Sequence, residues 1–350
     1  MIDFGKSSHF MKFAYVLVPS AVISGNSNGV KAQALNWKSG LEKLGHKVDE
    51  INVWDNYKWE EYDLIHIFGT GLWLYDFVKI LSSKNPNIVI SPIIDSIQTP
   101  FMYKLSTYIG FSKFRLWSPT YALKKSVPYF KAIFVRSKYE SLYFINSMDV
   151  NPDKIVMIPL AIDSLKDNIS SDKDNFCLHI SSIYQERKNV LRLVKAAKKF
   201  NFKLVLAGSK GSEKDFLSIN KEIGENSKNI EVLGFITDEE MSNLYSKAKV
   251  FALPSISEGV GIVALNAAVY GCEIVITKLG GPKEYYNGMA NLVNPYDIDN
   301  IGETILKVMN NSVSNQPNLM KYVVDNYSKE IIIKKLEFAY NKIIKSNCLK

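Results

Sequence analysis

The chain has 350 residues, 47% of them hydrophobic and 12% aromatic, which supplies cores for about two domains and excludes a disordered composition. Its formal charge is +8, from 43 basic and 35 acidic residues. No apolar run approaches bilayer-spanning length, the start MIDFGKSSHF lacks a signal-peptide core, and Cys177, Cys272 and Cys348 share neither metal-ligand nor disulfide-framework spacing, so a cytoplasmic protein is expected.

Residues 11–19 (MKFAYVLVP) read as a first buried strand, and the ten residues before them as a loose extension. A polar loop with Gly25 follows, and Gly29 leads into a helix over 30–44 with Val30, Ala34, Trp37 and Leu41 at helical spacing. The loop is not a P-loop, because the G-K-[ST] ending is absent. Gly45 ends the helix, and residues 46–53 form a second strand. Residues 63–69 form a third, containing His66; residues 87–94 form a fourth, ending at Asp95. Ligands bind beyond the carboxyl ends of strands in open α/β sheets. Asp95 is therefore a candidate contact for ligand hydroxyls, or a general base. His66 is a second candidate, although a single His in an apolar strand is more often a structural hydrogen-bonder.

Between Ser96 and Tyr139 there is no acid, and eight cations: Lys104, Lys113, Arg115, Lys124, Lys125, Lys131, Arg136 and Lys138. The rest of the chain balances at 35 against 35, so this window holds the whole excess. Phe101, Tyr103, Tyr108, Trp117, Tyr121 and Phe130 are among the aromatics interleaved with the charges. Such a mixture suits an anionic membrane surface through residues 96–139. It equally suits aromatics in a core beneath a solvated lysine face. No nucleic acid partner is expected, because no recognition module accompanies the charge. Strands over 132–137 and 154–159 close a first domain of residues 1–165. The polar run KDNISSDKDN (166–175) reads as the linker.

The second domain, residues 166–327, alternates strand and helix. A strand over 176–181 precedes Arg187-Lys188-Asn189 and a helix over 190–200. Two cations at a helix start oppose the helix dipole, which favours a functional reason for them. Strands over 203–207 and 230–233 end at Gly208 and at Gly234-Phe235. Thr237 and Glu240 form a capping box for a helix over 237–248. The apolar run 250–253 is a buried strand; Glu258, Gly259-Val260-Gly261 and a helix carrying Ile262, Leu265 and Val269 follow it. Gly271 ends that helix, residues 272–277 form a strand, and Gly280-Gly281-Pro282 opens another helix. A last strand over 290–294, helices over 297–309 and 315–326, and an amphipathic helix within 328–350 complete the chain.

Two glycines at a strand-to-helix passage give an anion access to unpaired N–H groups. Glu258 beside them would repel a phosphate but accept hydrogen bonds from sugar hydroxyls. Together they suit a nucleotide sugar; a capping Glu beside a tight turn is the plainer alternative.

The stretch LPSISEGVGIVALNAAVYGCEIVIT, with GGPKE after it, resembles the signature of the retaining GT-B glycosyltransferases of family 4: P-S-x-x-E-G-F-G-x-x-x-x-E-A, then G-C-P-V-V and G-G-x-x-E. Along the chain, VRSKYESLYFINSMDVNPDKIVMIPLAID and L-G-F-I at 233–236 resemble further family segments. The resemblance implies a GT-B fold: α/β, two doubly wound Rossmann-like domains facing across a cleft, with residues 328–350 crossing back to the first. It implies transfer of a sugar, with retention, from a nucleotide diphosphate sugar to a glycan or lipid-linked acceptor, as in cell-surface polysaccharide synthesis. No metal and no cofactor beyond that co-substrate are expected. Lys188 and Arg187 would hold the diphosphate with the backbone of Val260, Gly261 and Ile262. Glu258 would contact the donor sugar, and Gly208, Gly234 and Phe235 would border the nucleotide. Asn266 falls where the family's second Glu meets the ribose. Gly25 and Gly29 would face phosphates and acceptor. The family's His near the fourth strand's end is replaced by Ile94 and Asp95, which leaves Lys188, Glu258 and Asp95 as the catalytic candidates. A peripheral place at the inner membrane face follows from the same habit. The changes at Asn266 and at that His also permit a non-catalytic nucleotide-sugar-binding partner of another transferase.

Overall fold

The structure is a computed structural model and describes residues 10–18, 29–52, 54–94, 100–111, 116–162, 172–225 and 227–346. The chain forms two compact units. The first takes its described residues from the segments ending at Ile94 and Ala161 and from Lys329 onward; the second is Ile162–Ser328.

The first unit is built on β1 (Lys12–Leu17), β2 (Lys47–Glu50), β3 (Leu64–Phe68) and β4 (Ile88–Ser91). A two-stranded pair, β5 (Gly110–Phe111) with β6 (Leu116–Trp117), lies apart; β7 (Ala132–Val135) and β8 (Ile155–Met157) return to the main sheet. That sheet is parallel, in the order β2-β1-β3-β4-β7-β8. Its central strands are buried along their length, as in Leu64–Phe68 and Ala132–Val135, because helices cover both faces of a parallel sheet. The helix Gly29–Lys43 buries Ala34, Trp37 and Leu41, the stripe expected from the sequence.

The helix Lys329–Lys345 packs within this unit. A Cβ on Gly40 of helix Gly29–Lys43 would overlap Ile333, so the two backbones approach closely. Tyr340 Oη lies 3.1 Å from Tyr15 Oη and 2.5 Å from His66 Nδ1, while His66 Nε2 meets Ser91 Oγ at 2.8 Å. His66 is fully buried and burial holds its pKa well below the ordinary value. Of the two readings of His66, this is the structural one. Arg136 is likewise no surface cation: it is buried, and its Nε and Nη2 donate to the Glu140 carboxylate at 3.0 and 3.1 Å.

The second unit carries β9 (Asp174–Ile180), β10 (Leu204–Ala207), β11 (Ile230–Gly234), β12 (Ala248–Leu253), β13 (Glu273–Thr277) and β14 (Asn291–Val293). They form one parallel sheet in the order β11-β10-β9-β12-β13-β14. This is the doubly wound dinucleotide-fold order, with its switch point between β9 and β12. Helices Val190–Phe200 and Ile298–Met309 supply Leu193, Val194, Ile301 and Ile305 to the core beneath it.

Three local expectations are corrected. Asp174 and Asn175, read as linker, begin β9. Pro282–Tyr285 is one 3-10 turn rather than a helix. The helix read from 315 begins at Asn318, because Glu273 Oε1 accepts from the amides of Asn315 and Gln316, at 2.7 and 3.0 Å, and so holds them outside it. The Thr237–Glu240 capping box is formed, and the unexpected Ser212–Asp215 pair forms another.

Candidate active site

The site grows from the carboxyl ends of β9 and β12. After β9 the chain turns through Ser181 to a 3-10 turn, Glu186–Lys188, and enters the helix Val190–Phe200 through Asn189. Asn189 is buried in the left-handed region at φ 62°, a conformation that Asn tolerates better than most residues. Its Nδ2 donates to the carbonyls of Pro254 and Pro295, at 2.9 and 2.6 Å, and its Oδ1 accepts from Arg192 at 2.9 Å. One side chain thereby ties the loop after β9 to those after β12 and β14. The amide of Ile256 adds a bond to the Arg187 carbonyl at 2.8 Å.

This stapling brings Lys188 onto Glu258. Lys188 Nζ donates to Glu258 Oε2 at 2.5 Å, and both side chains are about nine-tenths buried. Ser255 Oγ donates to the same oxygen at 3.3 Å, and Arg187 Nη1 lies 4.0 Å from it. Arg187 is more open and is braced by Gln185 Oε1 at 3.0 Å. Under the loop, His179 of β9 is fully buried between the Ala252 carbonyl (2.8 Å) and Ser181 Oγ (2.7 Å). Burial lowers its pKa to about 4, so it is a neutral strut at neutral pH.

The helix Ile262–Val269 begins beside Glu258. Its cap, Gly261, sits at φ 76°, and a Cβ there would press on Leu253 at 2.9 Å and Glu258 Cγ at 3.4 Å. Ala264 N donates to the Gly261 carbonyl at 2.9 Å, while the amides of Ile262 and Val263 precede any acceptor of their own helix, which makes this end electropositive. Val260 is buried, so only its backbone is available; Asn266 is half-buried on the second turn. Gly280 at φ 76° lets the turn after β13 lie against the Glu258 carbonyl, where a Cβ would come within 2.8 Å.

Gly208 and Gly234 close β10 and β11, and Gly208 N donates to the Gly234 carbonyl at 2.7 Å. A Cβ on Gly208, at φ 118°, would overlap the Ser181 carbonyl, so no other residue fits. Phe235 projects into solvent at 87% exposure.

The second unit thus gathers Arg187, Lys188, Glu258, Gly261 and the start of the Ile262 helix. Gly29 opens its helix in the first unit and is exposed. Gly25 and Asp95 lie outside the described residues. Sequence reasoning passed over Ser255, His179 and Asn189. Asn189 left a trace as an Asn directly before a helical run, and Ser255 as the Ser of the P-S-x-x-E pattern. Among the described residues no group of three or more His, Cys, Asp or Glu could hold a metal ion, and no helix is long and apolar enough to cross a membrane.

Comparison with known proteins bears on the family and the fold. The family model Glycosyl transferases group 1 matches residues 162–329. The O-antigen chain mannosyltransferase B of Escherichia coli is 30% identical over 138 residues, 38% of this chain, and the match spans only 36% of that relative's length. Among solved structures, the sucrose-phosphate synthase of Thermosynechococcus elongatus superposes with a TM-score of 0.73 at 17% identity, covering 96% of this chain and all of that one. HepE of Anabaena, solved in complex with UDP, gives 0.71 at 16% identity, covering 95% and 100%. The two units have the fold of GT-B glycosyltransferases, and residues 162–329 match the model of the Glycosyl transferases group 1 domain.

Proposed function

We propose that this chain is a retaining, metal-independent glycosyltransferase that moves a hexose from a nucleotide diphosphate sugar to a glycan or lipid-linked acceptor. The observation that carries the reading is the Lys188–Glu258 pair at the switch point of the second sheet, next to the open start of the helix Ile262–Val269. Lys188, Arg187 and the amides from Val260 to Ile262 bind the diphosphate. Glu258 Oε2 is engaged by Lys188, and Oε1 accepts from donor-sugar hydroxyls. Gly208, Gly234 and Phe235 border the nucleotide, and Asn266 meets the ribose.

As the bond from the anomeric carbon to the phosphate oxygen breaks, the diphosphate takes the electron pair. Lys188 and the helix amides stabilise that growing charge without first having to reorganise. The acceptor oxygen bonds the anomeric carbon from the face being vacated, and its proton passes to the departing phosphate oxygen. No protein nucleophile enters this path. Asp95 is assigned to acceptor or sugar hydroxyls, and Gly25 and Gly29 to the phosphates and acceptor.

The test is a thermal-shift screen of nucleotide diphosphates and their sugars, followed by donor-turnover assays on any that bind. A mannosyl donor comes first, since a similar relative is a mannosyltransferase. One nucleotide sugar is expected to raise the melting temperature by mass action and to be turned over. Lys188→Ala is expected to lose about 100-fold or more in turnover. Binding without turnover would favour a nucleotide-sugar-binding partner of another transferase. If no nucleotide shifts the protein, the reading falls.

A further inference from the structure

The helix Pro100–Ser106 and the turn after it, in the first unit, are apolar on the side they should hide and on the side they should not. Tyr103 and Thr107 point inward and are buried, and Tyr103 meets Tyr143 edge to face at 4.9 Å between centroids. Outward stand Phe101, Met102, Leu105, Tyr108 and Ile109, each between 51% and 70% exposed. A surface helix ordinarily turns polar residues to water, and five adjacent large apolar side chains in solvent mark a surface that something covers.

The surrounding charge identifies the cover. Lys124 Nζ lies 4.2 Å over the ring of Tyr108, and Lys125 Nζ lies 5.6 Å over that of Tyr121. Lys104 is on the same helix. Asp149 lies 3.4 Å from Lys104 and 3.8 Å from Lys124. Lys125 and Lys131 are exposed, and the sequence from Ser96 to Tyr139 has no acid at all. Protein-binding surfaces are depleted in lysine, whereas an anionic bilayer draws lysine to its headgroups and apolar and aromatic side chains to the acyl boundary.

We infer that residues 101–109, rimmed by Lys104, Lys124 and Lys125, are a docking surface for an anionic lipid bilayer. Phe101, Leu105 and Ile109 enter the acyl boundary, Tyr108 sits at the headgroups, and the lysines pair with lipid phosphates. Arg136 takes no part, being buried against Glu140.

The inference does not depend on the donor chemistry, so flotation of the full-length protein with vesicles, without nucleotide, tests it alone. Vesicles of phosphatidylcholine with phosphatidylglycerol are compared with pure phosphatidylcholine. The protein is expected to float with the anionic vesicles only, and to be released by salt. Lys125→Glu is expected to weaken binding about fivefold. The double variant Phe101→Ser, Ile109→Ser is expected to weaken it more than about tenfold. Both side chains stand mainly in solvent, so circular-dichroism melting of the variants is expected to match the parent. If the double variant melts early, Lys125→Glu alone decides. Absence of flotation, or equal flotation of parent and variants, overturns the inference. So does a concentration-dependent dimer, lost in Phe101→Ser, Ile109→Ser, with no vesicle binding, which would make the patch an interface between copies.

Discussion

Lys188 Nζ and Glu258 Oε2 lie 2.5 Å apart across 70 residues of chain, joined at the point where the strand order of the second unit reverses. Neither charge is independent of the other. Taking an ion from water into a nine-tenths buried place is costly, and each partner offsets that cost for its neighbour. Removing one leaves the other uncompensated. Lys188→Ala and Glu258→Ala are each expected to destabilise the protein by about 3 kcal/mol, and the double variant by clearly less than the sum. Urea unfolding of the four proteins measures this; additive losses would show that the pair does not act as a unit.

Asn189 is the staple beneath that pair. Asn189→Ala removes two bonds to carbonyls and keeps a left-handed backbone that Ala resists, with an expected loss of about 3 kcal/mol. Asn189→Gly relieves only the backbone part and is expected to recover about 1 kcal/mol. Equal stability of the two variants would mean that the backbone angle contributes nothing.

Two candidate glycines separate on substitution. Gly208→Ala drives a Cβ into the Ser181 carbonyl at a positive φ, with an expected loss above about 3 kcal/mol. Gly29→Ala meets nothing within 4 Å at a helix start and is expected to be neutral or to stabilise by up to about 1 kcal/mol. Thermal melting of the two variants checks the contrast.

His179 makes stability depend on pH. Its folded pKa is lowered to about 4 by burial, against about 6.5 in an unfolded chain. Between those values the unfolded chain binds a proton that the folded protein refuses. Stability is therefore full above about pH 6.5 and falls toward about pH 4, by on the order of 3 kcal/mol from this residue. His66 acts in the same direction. His179→Asn is expected to flatten the slope of melting temperature against pH over that interval. An unchanged slope would assign the dependence elsewhere.

In the first unit, Tyr340→Phe removes the hydroxyl shared by Tyr15 and His66. A buried polar group stranded in this way costs about 1–3 kcal/mol. The loss should appear in urea unfolding. A stability equal to that of the parent would mean that His66 and Tyr15 find other partners.

Much of this architecture is legible along the chain. Unbroken apolar runs such as Val250–Leu253 announce strands buried on both faces, and glycines such as Gly45 and Gly271 stop helices where a left-handed residue is needed. The motif around Glu258 and the cations before Val190 point to an anion site before any coordinates. The 96–139 window is only half legible. Composition alone cannot separate Tyr103 and Phe130, which are buried, from Phe101 and Tyr108, which are not. Arg136 counts as one more cation until Glu140 is seen against it.

The sequence by itself determined most of the strands of both sheets, and it marked Lys188 and Glu258 as candidates for a binding site. Those properties follow from local periodicity, backbone conformation and charge type. Tertiary structure decided that these two side chains meet. β12 is the third strand after β9 in the chain yet lies directly beside it, because a doubly wound parallel sheet pairs strands that are not consecutive. No spacing rule along the chain encodes that neighbour. It is set by how helices and strands together bury their apolar faces, and with it come the Asn189 staple, the closure of Gly208 on Ser181 and the shared oxygen of Glu258.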